Sequence, residues 1–226
     1  MRNDLIELVF VIDRSGSMQS IYETAVSGFK EYIQSQLTAP GDVTLSIYTF
    51  DDQSEKVLDR VSLKADKTCS TIDEQTSTWF KPRGSTALYD TMTQAIDEIG
   101  AKLRETPEHL RPAKVLVVTI TDGFENASYK STRASVKNLI EQQSSVYKWD
   151  FVFIGANQDA VLTAKDLGIN LDAALTFNAK DANVSAVYKT LAAGTRSLRC
   201  AATTVGASAS YAFSEEDRKL AVDAGN

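Results

Sequence analysis

Apolar and polar positions alternate along this chain in two rhythms, each of which predicts a type of element. Leu5, Ile6, Leu8, Val9, Phe10, Val11 and Ile12 make a nearly unbroken apolar run, the mark of a central strand covered on both faces. Ile21, Ala25, Phe29, Tyr32, Ile33 and Leu37 then recur at helical spacing and predict an amphipathic helix that ends before Pro40-Gly41. Val43 to Phe50 reads as a strand, Asp51-Asp52-Gln53 as a turn, and the mixed stretch Lys56 to Val61 as an antiparallel edge strand. Ser62 to Arg83 is polar and interrupted, and reads as a long connection holding at most a short strand or turn. Gly84-Ser85-Thr86 starts a helix with an apolar face of Leu88, Met92, Ala95, Ile96, Ile99 and Leu103, and Asp90 favours its first turn.

The second half repeats the alternation. Lys114 to Thr121 is another long apolar strand, followed by a helix through Val136, Leu139 and Ile140 and a strand from Phe151 to Ile154. Asn157 is placed to cap a helix carrying Val161, Ala164 and Leu167, which Gly168 stops. Leu175 to Phe177 is the last strand, a long helix starts at Asp181, and Ser214-Glu215-Glu216-Asp217 fits a capping box for a short terminal helix. Strands alternating with helices predict a doubly wound α/β fold with a mostly parallel six-stranded sheet in the order 3-2-1-4-5-6 and helices on both faces. The expected organisation is one domain over residues 1–226, with its core at about 4–204 and a C-terminal extension at about 205–226.

Composition narrows the possible functions. The formal net charge of -6 argues against a duplex nucleic-acid partner, since phosphate affinity needs clustered Lys and Arg. No apolar run approaches membrane-spanning length, and Met1-Arg2-Asn3-Asp4 leads straight into the first strand, so a cytoplasmic location is expected. Cys69 and Cys200 lie far apart without a metal-ligand spacing and are expected to be reduced. The sole histidine, His109, stands in the proline-flanked stretch Pro107 to Pro112 and is expected at the surface.

The chemistry gathers at three loops. Asp13-Arg14-Ser15-Gly16-Ser17 follows the first strand, Gly84-Ser85-Thr86 opens a helix, and Thr121-Asp122-Gly123 closes the second long strand. In open α/β sheets ligands bind beyond the carboxyl ends of the strands, so these hydroxyls and carboxylates would converge there. Such hard oxygen donors suit Mg²⁺ or Mn²⁺, and Ca²⁺ less well. At these residues the sequence resembles the von Willebrand factor A-type domain, whose metal-ion-dependent adhesion site draws Asp-x-Ser-x-Ser, a Thr and an Asp from three such loops. The resemblance implies that Asp13, Ser15, Ser17, Thr86 and Asp122 bind the metal, and that a protein partner supplies an Asp or Glu to complete the coordination. It also implies one antiparallel edge strand. Arg14, Arg83, Glu125, Asn126 and Lys130, in or beside the loops, would set which partner fits. Similar microbial cytoplasmic proteins work beside ATPases or stress-response systems, and Phe153 to Asp159 looks like a feature of a microbial subgroup.

An enzyme is the alternative, a metal-dependent hydrolase or phosphotransfer enzyme using Asp13 and Asp122. The haloacid-dehalogenase type needs an acid two positions after its first Asp, where this chain has Ser15. A serine hydrolase needs a base near Ser15 or Ser17, and His109 is far along the chain. No phosphate-binding Gly-rich motif follows a strand. The expectation is therefore a binding module without catalytic residues, with a purely structural metal site as a third reading.

Overall fold

In a computed structural model, which describes residues 1–156, 160–202 and 209–223, the first apolar run becomes β1 (Arg2–Asp13), buried from Leu5 onward. With β2 (Asp42–Phe50), β3 (Ser54–Ser62), β4 (Pro112–Thr121), β5 (Asp150–Ala156) and β6 (Ala174–Phe177) it forms a six-stranded sheet of order β3-β2-β1-β4-β5-β6. Among the described residues only β2 and β3 pair antiparallel. Both the order and the antiparallel edge are as expected. The order reverses between β1 and β4, where Ile12 pairs with Ile120, so Asp13 and Asp122 emerge side by side at the carboxyl edge.

Side chains of β1 alternate between two cores, as the strand period requires. Leu8, Phe10 and Ile12 pack against α1 (Tyr22–Leu37) and α6 (Asp181–Ala202). Phe10 meets Phe29 and Tyr32 edge-on, with ring centroids 5.1 and 5.2 Å apart. Val9 and Val11 face α3 (Leu88–Glu105), α4 (Arg133–Tyr147) and α5 (Ala160–Asp166), through residues such as Met92, Ile96, Val136, Ile140 and Ala164. The terminal helix α7 (Glu215–Asp223) starts at the expected capping box, in which Asp217 N donates to Ser214 Oγ at 3.1 Å and Ser214 N to Asp217 Oδ2 at 2.8 Å. Glu7, fully buried within β1, is held by a two-pronged pair from Arg60 at 3.0 and 2.9 Å.

The stretch Ser62 to Arg83 is not the irregular connection expected. It contains α2 (Asp66–Trp79), fourteen residues long. The buried positions among the described side chains of this helix are Thr68, Ile72 and Thr76, spaced four apart, so this inward stripe is carried mainly by threonines. Thr76 returns its hydroxyl proton to the Ile72 carbonyl, which lets the side chain be buried. A hydrophobic pattern cannot register such a stripe. The helix after Gly84-Ser85-Thr86 also starts later than expected, at Leu88. The expected cap at Asn157 lies outside the described residues. His109 is exposed on a single 3-10 turn, Glu108–Leu110, as expected for a surface position.

Candidate metal centre

Each of the three loops is held by backbone bonds before any side chain acts. Arg14 N donates to Phe50 O at 2.8 Å, Arg83 N to Arg14 O at 2.8 Å, and Gly16 N to Gly84 O at 3.1 Å, tying the first loop to the second. Asn126 N and Ala127 N donate to Thr86 O at 3.1 and 3.2 Å, and Thr86 N donates to Asn126 Oδ1 at 2.9 Å, tying the second to the third. Gly84 has φ +66°, and a Cβ there would fall 2.4 Å from Asp52 Oδ1, so glycine is required for this approach.

All five expected site residues meet on this frame. Asp13 Oδ1 accepts from Ser15 N and its Oδ2 from Thr121 Oγ1, both at 2.6 Å. Ser17 Oγ lies 3.0 Å from Ser15 Oγ and donates to Asp122 Oδ1 at 2.6 Å. A Cβ on Gly123 would stand 3.5 Å from Thr86 Oγ1 and 3.7 Å from Ser17 Oγ, so these hydroxyls flank one space that the glycine leaves open. The Thr86 hydroxyl makes no hydrogen bond among the described residues, although the residue is buried. Asp13, Ser15 and Thr86 form the floor, and Ser17 reaches solvent.

These residues fit a small hard cation. The donors are all oxygen, with two carboxylates among them. Adjacent ligands of an octahedral ion with bonds of about 2.1 Å stand about 3.0 Å apart, and the Ser15–Ser17 and Ser17–Asp122 separations of 3.0 and 2.6 Å are close to that edge. Among the described residues no cluster of three His, Cys, Asp or Glu side chains offers the softer or more charged set of another metal site.

Burial raises the Asp13 carboxyl from 3.8 to about 6, against the pull of hydrogen bonds from Thr121 and Ser15, and the neighbouring Asp122 charge adds to the rise. Burial raises Asp122 as well, with Ser17 opposing it. The native Asp13 therefore holds its proton to higher pH than the unfolded chain does, and the metal-free protein should lose stability as pH rises from 3.8 to about 6. A cation needs the deprotonated form, so its affinity should fall as pH drops below about 6. Titrations of Mn²⁺ at pH 7.5 and 5.0 check this, and equal affinity at both would contradict it.

Several of the neighbours expected to set which partner fits also brace the loops. Arg14 is buried, with Nε donating to Asp51 Oδ2 at 3.0 Å and a terminal nitrogen donating to Glu55 Oε2 at 2.7 Å. Arg83 donates to the same Asp51 oxygen. Glu125 accepts from Tyr89 N, Ala127 N, Ser128 N and Ser128 Oγ at 2.7–2.9 Å, while Asn126 holds Thr86. Asp90, expected only as a charge at a helix start, accepts from the backbone of Tyr129, Lys130 and Ser131 at 2.7–3.3 Å. Glu125 and Ser128 also satisfy the first free N–H groups of α3, so the helix is capped from another loop. Of the five, only Lys130 keeps its charged end at the surface away from an ion pair, over the Tyr129 ring at 5.1 Å.

Sequence reasoning missed Asp51 and Thr121. Both stand at the carboxyl ends of strands beside Asp13: the pairing of Asp13 with Phe50 finds Asp51, and that of Ile12 with Ile120 finds Thr121.

The sequence profile of the von Willebrand factor type A domain matches residues 8–125, a span that includes all three loops, and the chain belongs to this family. No curated protein matches it. Among solved structures it is similar to a von Willebrand factor type A protein from Catenulispora acidiphila, at 16% identity and TM-score 0.57 over 87% of this chain and 42% of that one. It is similar at 16% identity and TM-score 0.59 to the mussel byssus proximal thread matrix protein 1 with a zinc-occupied MIDAS motif, over 84% of this chain and 46% of that one. A third is the manganese-loaded TRAP protein of Plasmodium vivax, at 18% identity and TM-score 0.50 over 69% and 58%. The chain spans less than half the length of the first two. At these identities the likeness carries the fold alone.

Proposed function

We propose that this protein is a divalent-metal-dependent binding module that engages an Asp or Glu of a partner protein through Asp13, Ser15, Ser17, Thr86 and Asp122. The carrying observation is the run of contacts itself: Ser17 Oγ lies 3.0 Å from Ser15 Oγ and 2.6 Å from Asp122 Oδ1, Asp13 is hydrogen-bonded to Ser15 N, and the Thr86 and Ser17 hydroxyls flank a space that Gly123 leaves open. Bound Mg²⁺ or Mn²⁺ would supply an electrophilic position for one further oxygen ligand. Ser17 can give its proton to Asp122 and turn a lone pair toward the cation, so Asp122 holds the hydroxyl in orientation. Ser15 N and Thr121 do the same for Asp13. The zinc-occupied and manganese-loaded relatives support a divalent ion in a fold of this kind.

Catalysis is less well supported. Pro112 begins β4 and Asp122 follows its end, so about 30 Å of strand, at about 3.3 Å per residue, separates His109 from the site. No other histidine exists to serve as base.

Thr86→Ala tests the reading. Since Thr86 precedes α3 and its hydroxyl makes no cap bond, the variant should stay folded. Immobilised wild-type protein in Mg²⁺ should retain a partner from a lysate that EDTA or Thr86→Ala releases. Equal retention in all three would overturn the metal bridge.

A further inference from the structure

A cleft of about 210 Å³ opens beside the metal centre, between the start of α3, the segment after β4, and α5. Gly123 lines it, and Gly123 directly follows Asp122 in the chain, so cleft and metal site share one wall. Its walls are largely apolar, with Leu88 and Leu167 buried inside, and Phe124 and Leu162 at the opening, 68% and 55% exposed. Two large apolar side chains this exposed, one of them two residues from Asp122, mark a contact surface better than a solvated one. The volume takes a single large side chain and falls short of the roughly 300 Å³ of pockets for free small molecules.

The charges beside the cleft define what enters it. Glu125 lies on its wall, but its two oxygens already take four hydrogen bonds from Tyr89, Ala127 and Ser128. Asp166 at the rim is paired with Arg133 at 2.7 Å. With Glu125 engaged and Asp166 and Arg133 paired with each other, the positive partner left beside the cleft is the cation that the metal site would hold. The fitting occupant is thus a chain segment that is acidic at one point and carries a large apolar side chain close by.

We propose that this cleft is the specificity pocket of the metal site, taking the large apolar side chain adjacent to the Asp or Glu that a partner protein presents to the cation. The inference rests on the metal-bridge reading above, and its test separates the two. The probes are the blocked peptides acetyl-Phe-Asp-Phe-amide, acetyl-Ala-Asp-Ala-amide and acetyl-Phe-Asn-Phe-amide, titrated into ¹⁵N-labelled protein with Mg²⁺ and with EDTA. The phenylalanine-flanked Asp peptide should bind about tenfold tighter than the alanine-flanked one, from burial of one aromatic side chain, and should shift the Phe124 and Leu162 amides. In the double variant Phe124→Ala, Leu162→Ala that advantage should vanish while alanine-flanked peptide and Mn²⁺ bind as before. Equal Mg²⁺-dependent binding of both Asp peptides to wild type overturns the pocket and leaves the metal bridge standing. Absence of any Mg²⁺-dependent binding, or equal binding of the Asn peptide, overturns both. A concentration-dependent dimer abolished by the double variant would assign the cleft to a second copy of the chain and overturn the partner assignment.

Discussion

Asp51→Ala is expected to destabilise the protein by about 3 kcal/mol, the low end for breaking a buried ion pair, and to weaken cation binding as well. Asp51 directly follows β2, is buried, and receives Arg14, Arg83 and the Gln53 N–H, while its carbonyl takes Ala87 N at 2.7 Å. Burial alone would push its carboxyl up, but the Arg83 hydrogen bond, the Gln53 N–H and the two arginine charges hold it below its ordinary value. Without it, the buried Arg14 guanidinium still keeps Glu55 and a long contact to the Trp79 carbonyl, which holds the loss to the low end. Arg14 stands between Asp13 and Ser15, so any shift that relieves its charge displaces two of the five site residues. Urea unfolding with and without Mg²⁺ reads both effects. A variant as stable as wild type, or one destabilised but with wild-type Mg²⁺ affinity, would contradict this account.

Arg199→Ala should destabilise comparably, by about 3 kcal/mol or more, yet leave the cation affinity alone. Arg199 is buried in α6, and burial lowers its guanidinium pKa. Its terminal nitrogens donate to Gln36 O, Gln36 Oε1, Ala39 O and Gly41 O at 2.6–3.1 Å. Gln36 O is a carbonyl of the last turn of α1, and Ala39 O and Gly41 O lie in the turn just beyond it, where the helix dipole favours a cation. Truncation takes a donor from each of those acceptors, of which Gln36 O keeps a backbone donor, and opens a cavity. Lysine should recover only part of the loss, since one ammonium cannot fork across two groups of acceptors. This cluster lies at the start of β2, the sheet edge opposite the metal centre. Thermal unfolding and Mn²⁺ titration of the same samples check the separation, and a lost cation affinity would refute it.

The strands and the three loops were legible because apolar runs deliver them. β1 and β4 announce themselves in Val, Ile, Leu and Phe, and their order, with right-handed crossovers, brings Asp13 beside Asp122. α2 was not legible, because Thr68 and Thr76 share its buried stripe with one isoleucine. The five residues proposed to hold the cation stood out as a spaced set, whereas the residues that hold them in place did not. Asp51, Asp90, Glu125 and Asn126 look like any polar loop residue until the fold shows each carboxylate or amide accepting from a distant backbone or arginine. Arg14 illustrates the same limit. A charged residue inside a metal loop suggests partner contact, and only the burial of its guanidinium against Asp51 reveals an internal brace.

The central claim is that these oxygens hold one divalent cation, and isothermal titration of Mn²⁺ at pH 7.5 tests it most directly. Wild-type protein should bind one ion per chain, Thr86→Ala should bind it more weakly, and Asp13→Ala and Asp122→Ala should show no saturable binding while keeping wild-type circular dichroism. Unchanged one-to-one binding in folded Asp13→Ala and Asp122→Ala, or no binding by wild type at millimolar Mn²⁺, would contradict it.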